Sequence, residues 1–142
     1  MKDITIVTAL FNIQRENMDG RTWDEYLEWF SRTLKLKCPM VIFVEDSLVK
    51  FVENYRQNLP TKIISHPLEE VPYYCLKEDM DDVIASEEYR SKTKCLDRIE
   101  CNHSLYSIIQ YSKFKWIRES IAMNPFDSDY YFWMDAGASR FF

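Results

Sequence analysis

Near the end of the sequence, the run YYFWMDAGASRFF (Tyr130 to Phe142) delivers one aspartate, Asp135, out of an apolar segment and follows it with Ala136 and Gly137. A carboxylate in that setting offers a hard oxygen to Mg²⁺ or Mn²⁺, ions that keep other positions for water and phosphate oxygens. A glycine two residues later lets a ligand approach the backbone closely. The same three residues could equally form a polar turn that closes a strand, because D-x-G is common at turns. Lys113 is the second residue with chemical potential. On a helical wheel it is flanked by Tyr106, Ile109, Trp116 and Ile117, so it projects from a mostly apolar side, whereas Lys115 falls among Tyr111, Arg118 and Glu119. An inward-facing lysine needs an anionic partner or a route for its head to reach water. Lys113 therefore either snorkels or reaches a diphosphate held at Asp135.

Two familiar phosphate cradles are excluded. A P-loop needs G-x-x-x-x-G-K-[ST] and a dinucleotide fold needs G-x-G-x-x-G, but Gly20 and Gly137 are the only 2 glycines in the chain. Any bound phosphate must be neutralised by a metal or by cationic side chains.

The elements that would position these residues are readable from periodicity. DITIVTALFN (Asp3 to Asn12) is β-branched and apolar on both faces, as in a strand buried within a parallel sheet. Thr22 and Glu25 form a capping-box pattern ahead of a helix whose Trp23, Tyr26, Leu27, Phe30 and Leu34 keep a helical period. MVIFVE (Met40 to Glu45) is a second strand. Asp46 or Ser47 is expected to cap a second helix, with Leu48, Phe51, Val52, Tyr55 and Leu59 on one face, and TKIIS is a third strand. This β-α-β-α-β order predicts parallel strands joined by right-handed crossovers. Residues 68–102 read as a helical or partly irregular excursion with a solvated charge run. Asn102 is the expected cap of the longest helix, 102–123, with Leu105, Ile108, Ile109, Trp116 and Met123 on one face. YYFWM is a fourth strand that ends at Asp135. The tips at Asn12, Glu45–Asp46 and Asp135 should share one sheet edge, where ligands bind in open α/β sheets.

The bulk composition narrows the function classes. The 142 residues suit a single domain. A net charge of −5 argues against a general nucleic-acid binder, which needs a basic face. No apolar stretch reaches the roughly 18 residues of a membrane span. The start MKDITIVTALFN lacks the pattern of a signal peptide. Cys38, Cys75, Cys95 and Cys101 form no C-x-x-C pair and no zinc spacing with the two histidines. Scattered thiols of this kind predict a reducing compartment and a cytoplasmic location. Phe141 and Phe142 are expected to pack against the domain, since leaving each in water forgoes roughly 1.5–3 kcal/mol.

ITIVTALFNIQREN, YLEWF, PMVIFVE, YSKFKWIRESIAMNPF and YYFWMDAGASRFF together resemble the bacterial HtrL/YibB family, which is similar to glycosyltransferases of the GT-A type. The resemblance covers most of the chain and is weakest between about residues 68 and 102. It implies a Rossmann-like α/β fold, a mostly parallel sheet flanked by helices, forming the nucleotide-sugar-binding half of such an enzyme. By resemblance Asp135 matches the first aspartate of the D-x-D metal motif and would hold Mn²⁺ or Mg²⁺, while Gly137 stands where the second aspartate would be. Thr8, Ala9, Leu10 and Asn12, with Arg15 after them, match the position of the nucleotide base and ribose. Ala136, Gly137 and Lys113 would then meet the diphosphate. In GT-A proteins the acceptor site follows the metal motif, and here only Ala138 to Phe142 remain, as in a truncated or minimal form. The expected activity is hexosyl transfer from a nucleotide-diphosphate sugar to a glycan or protein acceptor. A non-catalytic nucleotide-binding or interaction module on the same fold is the alternative, and a purely structural partner-binding domain is a third class.

Overall fold

The computed structural model describes residues 3–141. Four strands, β1 (Ile4–Leu10), β2 (Met40–Val44), β3 (Thr61–Ser65) and β4 (Tyr130–Trp133), form one all-parallel sheet in the order β3-β2-β1-β4. This is the α/β, Rossmann-like arrangement expected from the sequence. The registers align Val7 with both Val41 and Trp133, so these three side chains lie in one row on one face.

Helices α1 (Trp23–Thr33) and α2 (Val49–Arg56) cover one face of the sheet. Phe30, Leu34, Leu48 and Val52 pack there on Ile6, Leu10, Met40, Ile42 and Val44. The capping box is present: the Thr22 hydroxyl accepts from the Glu25 N–H, and the Glu25 carboxylate accepts from the Thr22 N–H. At α2 the expected cap is not formed. Residues 46–48 make a 3₁₀ turn that runs straight into the helix, and neither Asp46 nor Ser47 makes a side-chain cap bond. Arg56, at the end of α2, is buried and spreads its guanidinium over the carbonyls of Leu34, Leu36, Cys38 and Pro60 and the Thr61 hydroxyl. It ties the ends of α1 and α2 to the entries of β2 and β3.

Residues 68–102 leave the sheet through two 3₁₀ turns and the short helices α3 (Lys77–Ala85), α4 (Glu87–Lys92) and α5 (Ile99–Asn102). The longest helix, α6 (Ser104–Met123), then covers the second face, where Ile108 and Trp116 pack on Val7, Phe11, Val41 and Phe43. Its N-cap is His103, without a side-chain cap bond. Asn102 instead closes α5 and donates to the Leu96 carbonyl. The buried stripe of α6 is Ser104, Ile108, Ser112, Trp116 and Ser120, and Met123 is exposed. Three serines let the helix approach the sheet closely. Ser112 and Ser120 satisfy their hydroxyls on the carbonyls four residues back, at 2.7 and 2.8 Å.

The expectation that the terminal phenylalanines pack inward fails for Phe141. It is 80% exposed, with the Arg140 guanidinium 4.6 Å from its ring centre. The short 3₁₀ turn Ala138–Phe141 turns Ser139 inward, onto the Trp29 carbonyl, and this leaves Phe141 outside. Phe142 lies outside the described residues. Among the described residues no helix is long and apolar enough to cross a membrane.

Candidate functional site

The strand order places consecutive connections on opposite sides of β1: the chain moves outward through β2 and β3, then returns across the sheet to β4. β1 and β4 therefore diverge at their carboxyl ends, at the topological switch point where open α/β sheets bind ligands. A cavity of about 270 Å³ opens there. Its walls are the loop after β1, the start of α1, the turn after β4 and the face of α6 that carries Tyr106, Ile109, Gln110 and Lys113.

Of the residues singled out in the sequence, Ala9, Leu10, Asn12, Arg15, Lys113, Asp135, Ala136 and Gly137 all line this cleft. Thr8 does not: it is fully buried within β1. Asn12 is held by its N–H donating to Glu45 at the end of β2, and its own side chain accepts from the Gln14 N–H at 2.9 Å. Gln14 takes left-handed backbone angles (φ 59°) and turns the chain so that Arg15 enters the wall. Arg15 pairs with Asp19, donates to the Tyr26 hydroxyl at 2.9 Å, and lies 5.0 Å from the centre of the Tyr106 ring. Burial works against the Arg15 charge, but the Asp19 carboxylate together with Tyr26 and Tyr106 outweighs it and pushes the guanidinium up. Arg15 in turn holds the Asp19 carboxyl below its ordinary value.

Lys113 and Asp135 form an ion pair, with Lys113 Nζ 2.8 Å from Asp135 Oδ1. The same oxygen accepts from the Trp133 indole N–H at 2.8 Å. The Lys113 ammonium also sits 5.6 Å from the centre of the Trp133 ring, a cation–π distance. The Lys113 side chain is 18% exposed and that of Asp135 is 64% exposed. Partial burial pushes the Asp135 carboxyl up, but the hydrogen bonds from Lys113 and Trp133 and the charges of Lys113 and Arg140 outweigh it, so the group lies below its ordinary value. The lysine thus has its anionic partner within the chain, and simple snorkelling does not describe it.

Several cleft residues were not assigned to the site from sequence, although Tyr106 was placed beside Lys113 there. Trp133 and Arg140 flank Asp135 in the quoted closing run. Tyr106 and Gln110 lie on the α6 face of Lys113, two and one turns before it. The signal was their helical spacing from Lys113. Gly137 is buried against aromatic walls: a Cβ there would meet Trp29 and Arg140 at 3.3 Å and Tyr26 at 3.5 Å. The missing side chain admits these neighbours to the turn.

The cleft wall carries four cationic side chains (Arg15, Arg21, Lys113, Arg140) against two acidic ones, Glu16 and Asp135. That excess of two positive charges stands in a chain of net charge −5. Asp19, behind the wall, offsets part of it by pairing with Arg15 and, at 3.7 Å, with Arg21. Arg140 has no carboxylate within ion-pair distance among the described residues; it stacks over Trp29 at 5.5 Å. Also among the described residues, no three His, Cys, Asp or Glu side chains come together as a metal site.

Neither the curated proteins nor the solved structures contain a match to this chain. A family model does match, over residues 2–141, that of a bacterial protein of unknown function, HtrL_YibB. The chain belongs to the HtrL/YibB family.

Proposed function

We propose that the cleft binds the diphosphate of a nucleotide-sugar and that the protein is a glycosyltransferase or the donor-binding half of one. The observation that carries this reading is the cation-rich cleft at the β1/β4 switch point, in an otherwise acidic chain. In the proposed transfer, the bond between the sugar anomeric carbon and the diphosphate oxygen breaks. The electron pair leaves with the diphosphate, and the oxygen of an acceptor hydroxyl on a glycan or protein bonds to the same carbon and loses its proton. Lys113, Arg15 and Arg140 would stabilise the charge that develops on the leaving group, an electrostatic role that needs no rearrangement during the reaction. Tyr26 and Tyr106, beside Ala9, Leu10 and Asn12, would flank the nucleoside.

The residues at Asp135 do not fit a resident Mg²⁺ or Mn²⁺. One carboxylate oxygen is taken by an ammonium and an indole N–H, a second carboxylate is missing, and Glu16 is engaged with the Trp23 N–H at 2.9 Å. The same observation favours a second reading, a non-catalytic nucleotide-binding module. Both acids in the wall already hold donors, Asp135 an ammonium and an indole N–H and Glu16 a backbone N–H, which weakens either as a base for the acceptor proton.

Titration calorimetry with UDP, GDP and ADP, with Mn²⁺ and with EDTA, tests the reading. Binding of at least one nucleotide is expected, and hydrolysis or transfer of its sugar conjugate separates the enzyme from the binding module. No binding of any nucleoside diphosphate or its sugar conjugate in either condition would refute both.

A further inference from the structure

We infer that Asp135 is a built-in counter-ion of Lys113, occupying the place that a ligand phosphate takes, so that the cleft recognises a diphosphate by exchanging a carboxylate for a phosphate and without a divalent metal. The inference rests on the cleft being a site for a phosphate-bearing ligand, and it reverses the role that the aspartate would have in a metal motif.

Four observations support it. Lys113 Nζ pairs with Asp135 Oδ1 at 2.8 Å. Trp133 provides the ammonium only with a ring face, so the remaining donors have no protein acceptor among the described residues. Asp135 carries its two hydrogen bonds on one oxygen, and its side chain is 64% exposed against 18% for Lys113. The carboxylate is thus the partner that can swing into water, while the lysine is held by α6. Ile109, one turn earlier on α6, and Trp133 line the same cleft wall. A divalent ion on Asp135 would have to displace the ammonium or sit beside it, and like charges at that separation repel strongly. Finally, Arg140 adds a second positive charge at Asp135 and has no carboxylate within ion-pair distance among the described residues. Lys113 and Arg140 around a single carboxylate leave one positive charge uncompensated. A diphosphate in place of the carboxylate neutralises both and offers more acceptor oxygens.

The two roles for Asp135 predict opposite signs for one substitution. As a metal ligand, Asp135→Asn weakens ligand binding. As an internal competitor, Asp135→Asn strengthens it, because the amide keeps the shape and removes the charge that the phosphate must displace. The experiment titrates inorganic pyrophosphate, and in parallel UDP, GDP and ADP, into the parent chain, Asp135→Asn, Lys113→Met and the double variant, in EDTA and in Mn²⁺. Thermal melts confirm that each variant is folded, and Lys113→Arg serves as the charge-retaining control.

The expected result is pyrophosphate binding in EDTA within about twofold of that in Mn²⁺ once its metal complex is accounted for. Asp135→Asn should tighten it about threefold to tenfold, and Lys113→Met should weaken it about tenfold or more. Asp135→Asn should bring no gain when added to Lys113→Met, since the competitor matters only while Lys113 is present. Pyrophosphate behaving this way while no nucleotide binds would keep the inference and remove the nucleotide-sugar reading. Nucleotide binding that requires Mn²⁺ and is lost in Asp135→Asn would keep that reading and overturn the inference. Absence of pyrophosphate binding to both the parent and Asp135→Asn would also overturn it.

Discussion

Replacing Arg56 by methionine keeps the length and apolar stem of the side chain and deletes every donor of its head. Arg56 is 3% exposed. Its guanidinium donates to Leu34 O at 3.1 Å, to Cys38 O, Pro60 O and Thr61 Oγ1 at 2.9 Å, and to Leu36 O. All five acceptors are uncharged, and burial draws the guanidinium down from its ordinary value. A hydrogen bond from a charged donor is worth about 1.5–3 kcal/mol, so the plain sum would approach the whole stability of a domain, about 5–15 kcal/mol. That sum overshoots, because methionine also removes the desolvation cost of a buried cation, several kcal/mol. What remains is mainly the penalty of carbonyls left without donors, about 1 kcal/mol or more each, and some regain water when the α1–β2 and α2–β3 turns loosen. The net expectation is a loss of about 3–5 kcal/mol. For 142 residues the unfolding entropy is about 0.3 kcal/mol/K, so Tm should fall by about 10–17 °C. Urea denaturation followed by circular dichroism should show the midpoint falling at an unchanged slope. Arg56→Lys should be nearly as damaging, because an ammonium has three hydrogens for five acceptors. As none of the partners is charged, the loss should change little between 50 and 500 mM NaCl. A cost below about 1 kcal/mol would refute the view that this one cation fastens the two turns.

Ser112→Leu should cost about 1–3 kcal/mol by overpacking and should also weaken pyrophosphate binding, because it lifts α6 and Lys113 from the sheet. Ser112→Ala should be close to neutral in the same melts and titrations, since the hydroxyl it removes bonds back to Ile108 O within its own helix. Acid should unfasten α3 from α6: Asp81 accepts from Lys77 at 2.6 Å and from Ser104 at the start of α6, and these bonds hold its carboxyl below its ordinary value. A depressed carboxyl stabilises the fold above its unfolded pKa, and that contribution is lost as pH falls through the folded value. Melting temperatures of the parent and Asp81→Asn, taken from pH 6 downward, should therefore converge below about pH 4; a constant gap would contradict the assignment.

The two central strands, β1 and β2, were legible because they are buried on both faces. Ile6, Val7, Met40, Val41, Ile42 and Phe43 form near-continuous apolar runs, the pattern of a parallel sheet. The capping box at Thr22 was equally legible, being a local signal. The buried face of α6 was not. Periodicity placed Leu105, Ile109 and Met123 on it, whereas three of its five fully buried positions are serines. A serine scores as polar in any pattern, yet within a helix it can return its hydroxyl to the preceding turn and be buried without cost in unpaired atoms. The spacing of four also follows an i±4 ridge, which crosses the helix axis obliquely. Arg56 was illegible for a related reason: a cation in the last turn of a helix reads as a partner for the helix dipole. Only the tertiary convergence of four carbonyls gives it another task.

The cleft belongs to the fold, and any chain with this strand order has a crevice between β1 and β4. Its chemistry comes from the side chains brought there, which fold alone does not dictate. Trp116 stacks nearly parallel on Trp133, with centroids 6.0 Å apart and planes 7° from parallel. It is also packed on Phe11 and Phe43, each 5.6 Å away. One aromatic column thus fixes α6, which carries Lys113, and β4, which presents Asp135, relative to the tip of β1. Trp133 is shared between column and cleft: its ring face meets both Trp116 and the Lys113 ammonium, while its N–H holds Asp135. The ion pair is consequently set by core packing: Lys113 stands on α6 and Asp135 two residues beyond the end of β4. An exposed carboxylate opposite a half-buried lysine fixed by α6 suits the counter-ion role better than that of a metal ligand. The exposed partner can yield to a phosphate while the lysine stays in register.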